Sequence, residues 1–581
     1  MVFNNLFISQ LKKLRESSKH AVAHGNASNL DKFKEYLHIE RPVETRLKNI
    51  VSLSAPCKNA QLILVCGNVG DGKSHILSYL NSVIGVQMAL FTIHNDATES
   101  HNPNETSNDT LYRLLKGFRD DNIAKSNDKI ILAINLGTLS KFLENYEQEF
   151  TLLKEYVNSQ KILENDLVEE LNFESSRHIH HVNFTDYHLY SLSKNGAISE
   201  TISILLQKIV NPSADNSIYK EYLTYKESYT GKYYCPILYN YEFLFNENNR
   251  HIIIQLIIKS IIVSKEIVSV RTLLNYIYDI IVPFELASYS GESYLEELER
   301  RKPTAYLSLL IPNYIFEHPE LSKLFEKIMQ QDPCNIRKES LDSILLKLAN
   351  TEDPIVQFKK YIDQSYFQSL INIETTLQHV AKDEMSKFFI RLNFFSNYSK
   401  LTDVQDPVYD EYIDWLFHYN NHAISAIEKI YNLAILAIKK WHGDTKSADK
   451  AIIKVGKKQN KYRIFKEVEP LPAIELKNGC KDVVIHRFTQ EFTLYFDIGT
   501  DSPLKMNIDY SLFSLLQKIK NGYRPNKKDN NDYVYFVQNI HEIINKDSHK
   551  APLYIDEVNI GKSIDYKLSK KTFGGYKFEI I

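Results

Sequence analysis

Eight consecutive residues constrain this chain more than anything else in it. Gly67-Asn68-Val69-Gly70-Asp71-Gly72-Lys73-Ser74 fits G-x-x-x-x-G-K-[ST] at every fixed position. The segment before it, Gln61–Cys66 (QLILVC), reads as a buried strand, and KSHILSYLNSVI, from Lys73, reads as a helix. A strand, a glycine-rich turn and a helix N-terminus in that order put backbone amides in front of an anion at the carboxyl edge of a sheet. Glycines let the backbone wrap a phosphate without Cβ clashes. Lys73 can reach β- and γ-phosphates, and the Ser74 hydroxyl can ligate Mg²⁺, so the pattern implies ATP or a close relative bound with Mg²⁺. Gly67 to Ser74, with His75 following, are the candidate phosphate-binding residues.

The rest of the sequence arranges itself around that unit. Further strands are expected at Gln87–Ile93, Ile130–Ile134, His180–Thr185 and Ile237–Tyr241, with helices at Leu111–Phe118 and over about 138–172. Short apolar strands alternating with helices predict an α/β core, a parallel sheet flanked by helices. Residues 1–58 read as a helical lead-in interrupted at Arg41-Pro42, and 59–245 as the nucleotide-binding core. Residues 246–445 read as a helical region, with segments at 249–264, 268–282, 338–350, 354–374 and 408–441. Residues 446–581 read as a basic linker followed by a smaller mixed α+β domain. There VVIHRF, EFTLYFDI and GYKFEI are strand-like and Leu512–Ile519 is a helix candidate.

Hydrolysis needs a carboxylate near the metal and a group that positions or activates water. The strand Ile130–Ile134 is the expected place for the metal-side aspartate, yet Asn135 follows it. The second strand runs into His94-Asn95-Asp96-Ala97-Thr98-Glu99, and the fourth ends at Asn183-Phe184-Thr185-Asp186. These are three rival placements. Glu99 is favoured as the base, Asp96 as the metal-side or supporting acid, and Asn183 or Thr185 as γ-phosphate sensors; for each the alternative is a surface or capping residue. Asp109-Thr110 reads as a helix N-cap. Arg271, near the start of a helix, is either a lid arginine reaching the γ-phosphate, by analogy with AAA+ proteins, or a solvated helix charge.

Other patterns narrow the function by exclusion. The 581 residues carry a formal net charge of −2, so no global field draws the chain onto nucleic acid or membrane. Locally, Lys439–Lys466 holds ten Lys/Arg against Asp444 and Asp449, with Trp441, Tyr462 and Phe465 interspersed. This is either a solvated loop or a surface that binds phosphate backbone and stacks bases. Lys518, Lys520, Arg524, Lys527 and Lys528 form a weaker cluster. Cys57, Cys66, Cys235, Cys334 and Cys480 lack CxxC spacing, which fits reduced thiols in a cytoplasmic protein. His178, His180, His181 and His188 lack the partners a tetrahedral zinc site needs. The apolar run HIIIQLIIKSIIVSKEIVSV is interrupted by Gln255, Lys259, Lys265 and Glu266 and reads as a buried helix rather than a membrane span. No nuclease arrangement is evident.

The combination GNVGDGKSHILSYL, HNDATES, IILAINLGTL and VNFTDYHLYSL resembles the DptF family, the ATPase-like component of bacterial DNA phosphorothioation-dependent restriction systems. PILYNYEFL, VRTLLNYIYDIIVP and GYRPN extend the resemblance from about residue 10 to 530. It implies an ATP-binding and ATP-hydrolysing subunit that acts with DptG- and DptH-like partners, and with DNA directly or through them, against DNA lacking the sulfur mark. Only Gly67–Ser74 carries over residue by residue, and Asn135 departs from the usual acidic position. Two other readings stay open: an AAA+/STAND-like signalling or remodelling ATPase, and a non-hydrolysing scaffold that keeps ATP as a structural ligand.

Overall fold

The structure is a computed structural model. It describes residues 6–23, 32–95, 106–164, 167–168, 170–289, 292–337, 339–396, 406–445, 447–453, 462–474, 482–546, 551–557, 565–571 and 575–581, the side chains of 16–23 and 340 excepted. The chain forms two compact units. One comprises Met1–Ser191, Ala197–Gln405 and His486–Phe488; the other comprises Leu192–Gly196, Asp406–Ile485 and Thr489–Ile581.

The first unit is built on a four-stranded parallel sheet of β1 (Gln61–Cys66), β2 (Thr92–His94), β3 (Lys129–Ile134) and β4 (Ile179–Asn183), in the order β2-β3-β1-β4. Every residue of β1 is buried, as expected for a central strand covered on both faces. Its side chains alternate. Leu62, Leu64 and Cys66 face a core shared with Leu111, Leu139, Phe142 and Leu153, from helices Ser107–Leu114, Leu136–Asn145 and Thr151–Ser159. Ile63 and Val65 face the opposite core with Val43, Leu47, Ile50, Ile76, Leu77 and Leu80, from helices Pro42–Ser54 and Lys73–Val83. Pro42 occupies the first turn of its helix, where its missing N–H costs nothing. Beyond the sheet come helices Glu200–Val210, Ser217–Ser228, Pro236–Phe243, Glu247–Ser264 and Val270–Ile281, then shorter helices to Ser396. The apolar run is the buried helix Glu247–Ser264, and among the described residues no helix is long and apolar enough to cross a membrane.

Several expected elements differ. Gln87–Ile93 divides into a short helix, Gly85–Met88, and the three-residue β2. Ile237–Tyr241 is helical within Pro236–Phe243. The stretch 354–374 is a string of short turns and helices, and 408–441 is two helices, Pro407–Asn420 and Ile424–Lys440, separated near His422, whose φ is +54°.

A second, three-stranded sheet joins β5 (Tyr187–Ser193), β6 (Gly196–Ile198) and β10 (Val484–Arg487) in the order β10-β5-β6; β7, β8 and β9 are Lys450–Ile452, Tyr462–Glu467 and Leu471–Pro472. The second unit contains β11 (Phe492–Asp497) and β12 (Leu504–Ile508) in a sheet ordered β12-β11-β9, packed with helices Ile424–Lys440 and Tyr510–Lys520. Its five-stranded antiparallel sheet runs β15-β14-β13-β8-β7, with β13 (Leu553–Glu557), β14 (Asp565–Lys570) and β15 (Tyr576–Ile580).

The basic run Lys439–Lys466 is not wholly a solvated loop where it is described. Trp441 is buried and donates its Nε1–H to Asn530 Oδ1 at 2.8 Å. Phe465 stacks on Tyr554, with Lys450 Nζ 3.7 Å from the Tyr554 ring centre. Lys466 is buried and donates to Ile544 O at 2.9 Å. Trp441, Phe465 and the Lys466 stem fold inward because they complete a sheet and its core, whereas Tyr462 is 46% exposed. Lys446 and residues 454–461 lie outside the described residues.

Candidate functional site

The glycine loop leaves the carboxyl end of β1, the strand flanked by β3 on one side and β4 on the other. Its tight course depends on close approaches that leave no room for a side chain. A Cβ on Gly67 would lie 2.8 Å from Phe184 Cβ. Gly70 has φ +91°, and a Cβ there would meet Ser269 Oγ at 2.9 Å. Gly70 thus touches the residue that caps the helix Val270–Ile281, since Ser269 accepts a hydrogen bond from Thr272 N. Within the loop, Asp71 Oδ2 accepts from Asn68 N at 2.6 Å, and Lys73 Nζ donates to Gly67 O at 2.8 Å and Asn68 O at 2.7 Å. The lysine therefore lies folded over the loop's own carbonyls. Burial raises the Asp71 pKa, while Asn68 N–H, Lys73 and Arg41 act to lower it.

Beside the loop is a cavity of about 250 Å³. Val69 to Ile76 form one wall, the start of the helix Val270–Ile281 another, and residues from 34 to 41 a third. Lys34, Arg41, Lys73 and Arg271 give it four cationic side chains, against one carboxylate, Asp71. Leu37, Ile39, Leu205, Val270, Leu273 and Leu274 give it an apolar stretch. Positive charge at a helix N-terminus next to an apolar patch suits an anionic ligand that carries a flat apolar group.

The N-terminal segment supplies residues that no motif flags. Arg41 Nη2 donates to Asp71 O at 2.8 Å, and its guanidinium lies 5.4 Å from the Phe184 ring centre. Burial lowers its pKa, opposed by Asp71 and Glu44. The His38 ring stacks on Tyr79 with centroids 3.5 Å apart. Its Nε2 lies 3.1 Å from Oε1 of buried Glu44, and its Nδ1 lies 3.0 Å from His75 Nε2. One of the two facing ring nitrogens, His38 Nδ1 or His75 Nε2, carries the proton of their mutual hydrogen bond. Burial first, then the charges of His38 and Arg41, pushes the His75 pKa down to about 4, which keeps this imidazole neutral.

The other candidates fall into three groups. Asn135 lines the cavity at the end of β3; its Oδ1 accepts from Thr138 N at 2.7 Å as a helix cap, so its amide nitrogen is the half with protons to donate. Asn183, Thr185 and Asp186 lie outside the cavity lining. Asn183 Oδ1 takes Thr185 Oγ1–H at 2.8 Å, and Asn183 Nδ2 donates to Asp186 Oδ1 at 2.9 Å. Asp186 in turn pairs with Arg487 Nη2 at 2.8 Å. Asp96 and Glu99 lie outside the described residues, although Asn95, just before them, lines the cavity. Thr106 is the N-cap ahead of Asp109, and the two form a reciprocal capping box. His178, His180 and His188 each make a hydrogen bond to a main-chain carbonyl, at Ala60, Arg177 and Phe488, while His181 pairs with Tyr156 Oη. Among the described residues no group of three or more His, Cys, Asp or Glu could hold a metal ion.

No family model matches this chain, and no curated protein or solved structure matches it either.

Proposed function

We propose that this protein binds ATP with Mg²⁺ through Gly67–Ser74. The observation that carries the reading is a lysine-bearing glycine loop at the end of a central parallel strand, opening on a cavity with four cationic side chains and one carboxylate. In this reading the loop amides and the N-terminus of the helix Lys73–Val83 hold the phosphates. Lys73 turns from Gly67 O and Asn68 O to the β- and γ-oxygens, Arg271 approaches from the facing helix, and the Asn135 amide donates to phosphate oxygen. The apolar stretch takes the base. Mg²⁺ would neutralise phosphate charge with Ser74 as its protein ligand, the remaining positions being filled by phosphate oxygens and water.

Hydrolysis then depends on Asp96 or Glu99, since among the described residues the cavity lining offers no carboxylate outside the loop itself. That same observation favours a second reading, in which ATP is retained as a structural ligand. The wider role, ATP-dependent restriction of DNA lacking a phosphorothioate mark, together with DptG- and DptH-like subunits, rests on the resemblance to the DptF family.

Calorimetric titration with Mg²⁺–ATP tests the binding reading. Wild type binds, and Lys73→Ala loses about 10- to 100-fold in affinity, as for a removed charge-assisted phosphate contact; equal affinity in both overturns it. Turnover abolished by Glu99→Gln separates hydrolysis from retention, and full restriction in a Lys73→Ala strain rejects the wider role.

A further inference from the structure

The five-stranded sheet of the second unit ends on β15, and among the described residues no strand lies beyond it. Such an edge usually carries charges or a cover, because it presents unpaired backbone groups to any passing strand. Here three apolar side chains, Tyr576 70%, Phe578 59% and Ile580 72% exposed, alternate with Lys577 and Glu579, which pair with each other along the strand. All three share one face of the strand with Phe578, which stacks on Tyr566 of β14 at 5.2 Å.

The backbone polarity of this edge is fixed by the pairing with β14. Lys571 N donates to Gly575 O at 3.0 Å, and Ile581 N donates to Asp565 O at 2.8 Å. The register pairs Ser569 with Lys577 and Lys567 with Glu579. In an antiparallel ladder, residues directed to one neighbour alternate with residues directed to the other. Gly575, Lys577, Glu579 and Ile581 therefore address β14, and the N–H and C=O groups of Tyr576, Phe578 and Ile580 point to the open edge.

We propose that a second copy of this chain pairs antiparallel along β15, about a two-fold axis at Phe578. That axis sets Phe578 against its own copy, Tyr576 against Ile580, and Lys577 against Glu579. The register meets three independent conditions. Outward-directed residues face outward-directed residues, so the hydrogen bonds can form. The apolar stripe meets itself. The charges are complementary in both symmetry-related places, in the non-hydrogen-bonded positions where side chains come closest. An isologous contact of this kind uses the same edge on both partners and closes after two copies. A strand sequence with like charges at these two positions would repel its own copy.

Sedimentation of the full chain over a range of concentrations tests this. Wild type is expected to dimerise. Lys577→Glu and Glu579→Lys each place like charges opposite one another twice and weaken the dimer about tenfold. The double variant Lys577→Glu/Glu579→Lys restores the pair in reverse and recovers wild-type association. A wild type that stays monomeric throughout overturns the proposal. So does a dimer that is indifferent to the single changes, or a double variant as weak as either single one. Far-UV circular dichroism and the thermal unfolding midpoint of each variant serve as the control for folding.

Discussion

At the scale of single residues, the loop was legible and its surroundings were not. Gly67, Gly70, Gly72, Lys73 and Ser74 form a local pattern whose spacing stands out in the sequence. Lys34, His38, Arg41 and Glu44, which precede β1 in the chain, line or support the same cavity, and nothing local marks them. The sequence around them displays only a polar stretch before a proline, which reads as a break between helices. Gly70 shows how narrow the tolerance is. Gly70→Ala puts a side chain at φ +91° and against Ser269 Oγ, and is expected to cost about 1–2 kcal/mol in denaturant unfolding while also weakening nucleotide binding. An unchanged midpoint and affinity would contradict the close approach of loop and helix cap.

At the scale of elements, the errors of the sequence reading have a common cause. Pro236 to Tyr241 are buried without interruption, so the helix Pro236–Phe243 shows no polar face and no 3.6-residue period. A short run of that kind cannot be told from a buried strand, and Ile237–Tyr241 was expected as one. The segment 354–374 fails in the opposite way. Its apolar spacing is helical, but Asp353 and Asp363 each cap a new turn and divide it. The helices that do form are joined by specific polar contacts. Arg391, on the helix Lys382–Ser396, donates from Nη2 to Asp332 at 2.6 Å and from Nη1 to Asn313 at 2.9 Å, and also pairs with Glu317. Arg391 and Asp332 are both buried. Arg391→Met leaves Asp332 without its partner and is expected to cost about 3–5 kcal/mol, whereas Arg391→Met/Asp332→Leu regains most of that loss. Chemical unfolding of the two variants measures the difference.

At the scale of the whole molecule, acidity acts on one unit in a consistent direction. Burial pushes His75, His180, His181 and His188 each down to about 4, and all four belong to the first unit. In the unfolded chain they titrate near the ordinary value of about 6.5. Above that pH neither state is charged and they contribute nothing. As pH falls from about 6.5 to 4, the unfolded chain takes up protons that the folded one refuses, so stability declines over that window and levels off below it. Asp279 runs the other way, because burial, opposed by Arg15, raises it to about 6, and burial raises Asp71 and Asp186 as well, which makes three groups against four. Thermal unfolding between pH 7.5 and 4.5 is expected to show the first unit losing stability with acid. Replacement of His188 by Gln is expected to flatten the slope, and a slope of opposite sign would reject the account.

Whole-molecule organisation was also the least legible feature in the sequence, because it depends on a return of the chain. Residues 486–488 count with the first unit, and Arg487 holds both Asp186 and Val168 O from 301 and 319 positions away. No composition shift or linker signals this. Its consequence concerns order in time. A ribosome that has released residues 1–405 has made the parallel sheet and its helices, yet Asp186 is still without its guanidinium. The nascent first unit must wait, with that carboxylate uncompensated, while much of the other unit emerges. Its completion is therefore a late event in synthesis, even though the glycine loop is among the first parts to be made.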